Sequence, residues 1–85
     1  PARGAGAYAG RYVAGEDEIV VAAREDGLAI VGRGMTGRLA HAGDHRFRAP
    51  GVRGVLTFVF TGPGPAGFLR GPEFVAVRAQ APRRK

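Results

Sequence analysis

Nucleophilic chemistry has almost nothing to work with in this chain. There is no Ser, Cys or Asn, and the internal hydroxyls are those of Thr36, Thr57, Thr61, Tyr8 and Tyr12. Covalent catalysis needs an activated Ser, Cys, Thr or Lys beside a positioned base. None of the Thr residues is N-terminal, and the single Lys is Lys85. The two histidines, His41 and His45, flank a turn, where a pair could bind metal or sense pH. Without Cys to complete a ligand set they read instead as solvated turn residues, and no metal or cofactor is implied. Glu16, Asp17 and Glu18 bring carboxylates together as acid–base catalysts require, but on a connecting turn they read as solvated charge. The chain by itself is not expected to be an enzyme.

Arg46, Arg48 and Arg53 are the most suggestive group. The first two share one face of a strand and the third follows in the next loop. Such a patch suits phosphate, nucleic acid or an acidic protein surface. The formal charge is +6, and twelve of the thirteen basic residues are Arg. A basic chain raises nucleic acid as a partner. Abundant Ala, Gly and Arg are also what a GC-rich genome produces, so the charge alone carries less weight.

The elements that must position these residues are strands. Eighty-five residues make room for one domain, and no cysteine is available to staple it. Short apolar stretches broken by turn residues about every eight to twelve positions are an all-β pattern. Strands are expected at residues 8–13, 18–24, 28–32, 36–41, 45–49, 55–61, 68–70 and 73–79. Tyr8 and Tyr12 share one face at a period of two. Glu25-Asp26-Gly27 reads as a tight hairpin turn, with Asp-Gly supplying a positive φ. Residues 62–67 alternate Gly and Pro and can be neither helix nor strand. Seven or eight strands with short connections pair as antiparallel neighbours, and curling into an up-and-down barrel removes the two edges. A barrel is the first choice and a two-sheet sandwich the second. A flexible linker is expected over residues 1–6, the barrel over 7–79 and a basic tail over 80–85, in a chain read as a mature fragment or excised domain. No apolar run reaches the ~20 residues needed to span a bilayer as a helix.

Three features together resemble a known family. They are the Tyr8-x-Gly10-x-Tyr12 opening strand; the hairpin around Gly27-Leu28; and the order Gly43-Asp44-His45-Arg46-Phe47, Leu56-Thr57-Phe58, Gly67-Phe68-Leu69. This order looks like the small lipocalin-like barrel that follows the catalytic domain in bacterial β-lactamase-related, penicillin-binding-protein-like serine hydrolases. It covers roughly residues 8–78, and its motif residues are structural. The resemblance implies that nucleophile and lysine lie in a separate upstream domain, in the envelope or outside the cell. This barrel would then pack on that domain, shape access to its cleft or help assemble subunits.

The expected function is therefore a non-catalytic accessory barrel whose partner is the upstream catalytic domain or another protein. A basic nucleic-acid-binding module is the alternative, and a small hydrophobic-ligand carrier the second. A carrier needs a sizeable internal cavity, and a nucleic-acid module needs steeply salt-dependent binding with exposed aromatics for base stacking.

Overall fold

Apolar residues at every second position fold as strands with one buried face, since successive side chains on a strand point to opposite sides. The computed structural model describes residues 5–79. A 3₁₀ turn at Ala5–Ala7 leads into β1 (Gly10–Ala14), β2 (Asp17–Arg24), β3 (Gly27–Gly32), β4 (Met35–Arg38) and β5 (Ala40–Gly43). These are followed by β6 (Arg46–Arg48), β7 (Leu56–Val59), β8 (Phe68–Arg70) and β9 (Val75–Arg78). The linker expected over residues 1–6 lies outside the described residues except for Ala5 and Gly6, which belong to the 3₁₀ turn. The tail expected over 80–85 lies wholly outside them.

The fold is an all-β, antiparallel barrel-shaped sheet in the order β4-β3-β2-β1-β9-β8-β7-β6-β5. Every pairing joins neighbours in sequence except β1 with β9, which brings Tyr12 opposite Arg78 and Val13 opposite Val77. The two outermost strands, β4 and β5, are separated by Leu39 alone. The sheet has therefore curled until its margins meet in one bent segment. One continuous sheet of this kind is a barrel rather than a two-sheet sandwich.

That bend is why nine strands appear where seven or eight are expected from the sequence. Residues 36–41 do not run as one strand: β4 pairs with β3, whereas β5 pairs with β6. The exchange of partners happens at Leu39, whose side chain is buried and whose N–H donates to Leu28 O at 2.8 Å. Gly37, with φ +138°, leaves the space above it to the Pro50 ring, 2.9 Å from where a Cβ would stand. A glycine at a barrel corner permits this close approach. Two further expectations shift. Tyr8 lies in the turn before β1 rather than in the strand, though it is buried together with Tyr12. The hairpin turn is made by Glu25 and Asp26, while Gly27 (φ +132°) opens β3 opposite Arg24.

The barrel is filled by its own side chains. Phe58, Leu69 and Ala76 form a buried row across β7, β8 and β9, and Val21 with Ile30 and Phe47 with Leu56 continue the lining. Tyr8 and Phe58 rings lie 4.9 Å apart, Phe47 and Phe58 5.5 Å, Tyr12 and Phe58 5.9 Å. Such tilted and edge-on contacts are the favoured aromatic geometries.

One end of the barrel is plugged. Ala66, fully buried in the Gly-Pro loop, donates its N–H to Ala7 O at 2.9 Å. Arg78 points inward from β9. It donates Nε to Ala66 O and Nη2 to the Tyr12 hydroxyl at 2.8 Å, and its guanidinium carbon lies 4.9 Å from the Tyr12 ring centroid. The Tyr12 hydroxyl in turn donates to Tyr8 O at 2.6 Å. Burial raises the Tyr12 pKa above the ordinary tyrosine value, and the charge and hydrogen bond of Arg78 pull it back only in part. A Cβ on Gly10 (φ +147°) would overlap the Arg78 guanidinium, so any larger residue at this start of β1 has to displace that side chain and bear a strained backbone.

Candidate interaction surface

Strand β6 is three residues, Arg46, Phe47 and Arg48, with the Phe buried and both Arg side chains exposed on the outer wall. Register then brings in a residue that the sequence reading missed. Arg46 stands opposite Thr57, Thr57 opposite Arg70, and Arg70 opposite Val75, a single outward row across β6 to β9. Neighbouring strands are ~4.8 Å apart, so two Arg backbones are separated by about twice that distance. Arg46 lies back over Gly43, with Nε 3.2 Å from where a Cβ on that glycine would be.

These cations have no acidic partner among the described residues. Arg11 pairs with Glu18 at 2.7 Å, Arg33 with Asp17 at 2.8 Å and Arg38 with Asp26 at 2.6 Å, all involving residues of β1 to β4 and their turns. Among the described residues Arg46, Arg48 and Arg70 form no ion pair. Five of the seven acidic residues fall between positions 16 and 26. Among the described residues every ion pair lies on the β1–β4 side, and Arg46, Arg48 and Arg70 on the other side have none.

Beside the Arg row runs an apolar one. Val13 pairs with Val77, Val77 with Phe68, and Phe68 with Val59, an outward ladder over four adjacent strands. Val77 is 49% exposed and Val75, in the Arg row, 55%. Phe68 and Val59 are half-buried by their neighbours.

The remaining residues singled out from sequence have other places. Arg53 belongs to the loop between β6 and β7 and lines a cleft of about 400 Å³ at the barrel end opposite the plug. His41 is exposed, its ring 5.2 Å from that of Phe47. His45 is not simply solvated: it is half-buried, shares a 3.0 Å hydrogen bond through Nδ1 with the Tyr8 hydroxyl, and lies 4.7 Å from the Phe60 ring. Tyr8, Tyr12, Leu28, Phe47, Phe58 and Leu69 are core. Gly10 lies under Arg78, Gly27 opens β3, and Gly67 donates to Val59 O at 2.9 Å while accepting from Arg78 N at 2.8 Å. Every motif residue thus serves the barrel. Comparison with family models, curated proteins and solved structures returns no match.

Proposed function

We propose that this chain is a non-catalytic docking domain, which packs the outer wall of β7, β8, β9 and β1 against a protein surface that is apolar at its centre and rimmed with carboxylates. The observation that carries this reading is the Val13–Val77–Phe68–Val59 ladder lying in register beside unpaired Arg46 and Arg70. Burying the exposed halves of Val75 and Val77 would contribute roughly 1 kcal/mol each. Guanidinium groups left without internal partners are free to take carboxylates in bidentate geometry. The resemblance noted in the sequence makes the catalytic domain of a bacterial serine hydrolase the partner of first choice.

The two other readings have less support. A carrier of apolar ligands needs interior space that the aromatic and aliphatic lining occupies. A single-strand nucleic-acid module needs exposed rings as stacking platforms, whereas the outward aromatic of this wall, Phe68, is half-buried between Val77 and Val59.

The test uses a photo-cross-linking residue at position 77, with position 31 as control, where a similarly exposed valine stands on β3, three strands away from β9 in the sheet. Docking gives cross-links from 77 to one defined protein surface, lost on Arg70→Glu, and none from 31. An amide NMR titration with a single-stranded oligonucleotide supplies the opposing outcome. Shifts confined to Arg46, Arg48 and Arg70 that fade with salt would overturn docking in favour of nucleic acid.

A further inference from the structure

The open end of the barrel carries a site that the docking wall does not use. Three connections meet there: the Arg33-Gly34 turn, residues 49–55 and residues 71–74. The cleft between them, about 400 Å³, falls in the size range of small-molecule sites. Val52, Pro72 and Phe74 give it apolar walls, and Val52 and Phe74 also pack on the core, so those walls are anchored from within. The loops lie close to one another. A Cβ on Gly51 would stand 3.0 Å from Gly34 O, and one on Gly54 3.2 Å from the Pro72 ring.

Three charged residues line it: Arg33, Arg53 and Glu73. Arg33 adopts φ +53°, a left-handed conformation that costs an ordinary residue about 1 kcal/mol or more and that two-residue hairpin turns usually give to Gly, Asn or Asp. Its side chain is nevertheless fixed on two sides, by Asp17 Oδ2 at 2.8 Å and by the Phe74 ring, whose centroid is 4.9 Å from the guanidinium carbon. A guanidinium has five N–H donors, so contact with one carboxylate oxygen leaves others for a ligand. Arg53 forms no ion pair among the described residues. Asp17 offsets the charge of Arg33, and Glu73 opposes the entry of several negative charges at once.

We propose that this mouth cleft binds a small organic monocarboxylate with a compact aromatic or aliphatic body. Arg53 takes the carboxylate, Arg33 supplies further donors from its fixed position, and the body lies against Val52, Pro72 and Phe74. Glu73 makes the site discriminate against polyanions.

The experiment is an amide NMR titration of the whole chain with benzoate, with acetate as the charge without the body and benzamide as the body without the charge. Benzoate is expected to give saturable shifts at Gly51, Val52 and Phe74 with Kd about 1–10 mM, as the binding efficiency of so small a ligand allows. Acetate, benzamide and the dianion isophthalate should each bind at least ~5-fold more weakly, a discrimination within reach of one well-placed charge contact. Arg53→Gln should weaken benzoate about 10-fold with the spectrum otherwise native, and Arg48→Gln should leave binding unchanged. Absence of saturable shifts, benzamide binding as well as benzoate, or indifference to Arg53→Gln would overturn the proposal. None of these outcomes bears on the docking wall, which is read by cross-links from position 77.

Discussion

Substituting Gly10 and Arg78, singly and together, tests whether the plugged end of the barrel is held by one pinned guanidinium. Arg78 donates to two acceptors, Ala66 O and the Tyr12 hydroxyl. A hydrogen bond from a charged donor is worth about 1.5–3 kcal/mol, and Arg78 is only half-buried, so the low figure applies and Arg78→Ala should cost about 3 kcal/mol. Gly10→Ala forces an L side chain to φ +147°, a strain of about 1–2 kcal/mol, and its Cβ also displaces the guanidinium. Losing both acceptors that way adds up to ~3 kcal/mol, for a total near 4. In an Arg78→Ala background there is no guanidinium to displace, so Gly10→Ala should then cost only the backbone strain. The expected coupling is about 2–3 kcal/mol. Urea unfolding followed by far-UV circular dichroism measures it, since an m-value of about 1 kcal/mol per molar turns each kcal/mol into about 1 M of midpoint. The whole domain is worth only about 5 kcal/mol, so the series is run in a stabilising co-solvent such as sucrose. Additivity within about 0.5 kcal/mol would refute the reasoning, because it would mean that Gly10 and Arg78 do not share the space assigned to them.

Three further outcomes are expected. The Tyr12 pKa is raised by burial, so the stability it confers is complete below about pH 10 and lost as pH climbs through the higher folded value. The melting temperature should fall on that alkaline side, and Tyr12→Phe should flatten the fall, an unchanged slope counting against it. Gly32→Ala should cost about 3 kcal/mol or more, because its Cβ would overlap the Glu18 carbonyl oxygen and come 2.9 Å from Ile19 Cα, main-chain atoms that cannot swing aside. Urea midpoints report it, and a loss under 1 kcal/mol would show that the β2–β3 pair yields. Arg38→Ala, by contrast, breaks an ion pair whose side chains are 68% and 59% exposed, and its effect in the same assay should stay below about 0.5 kcal/mol.

The strands were legible wherever apolar residues alternate and turn residues interrupt. The alternation within residues 55–61 makes a strand with one apolar face legible there, and Leu56 and Phe58 of that face are both core. The break at Leu39 was not legible. Gly37 interrupts the pattern there, but a lone glycine in a strand does not say that the partner changes, which follows from Pro50 reaching over it in the folded barrel. The period of two puts Tyr8 on the right face but in the wrong element, because it cannot distinguish an extended lead-in from a strand. Arg70 could have been found. Once Phe58 and Leu69 are taken as an inward pair, Thr57 falls opposite Arg70, and the outward Arg row follows from register. The mouth cleft could not, because Arg33, Arg53 and Phe74 meet only after three separate connections are folded to the same end of the barrel.

The closure of the barrel by β1 against β9 also determines how the domain answers to force. The strands are antiparallel, and with Tyr12 opposite Arg78 the chain enters β1 and leaves β9 at the same end of the barrel. Ladder hydrogen bonds in an antiparallel pair run perpendicular to the strands. Tension applied through the flanking chain therefore loads these bonds one after another from that end instead of shearing them all together. The first of these ladder bonds to feel the pull is the one that the Ala79 N–H donates to Arg11 O at 2.8 Å, one residue from the Arg78 whose guanidinium holds the plug. The barrel should open at low force, as a zipper does, and each turn of the meander should then peel in sequence.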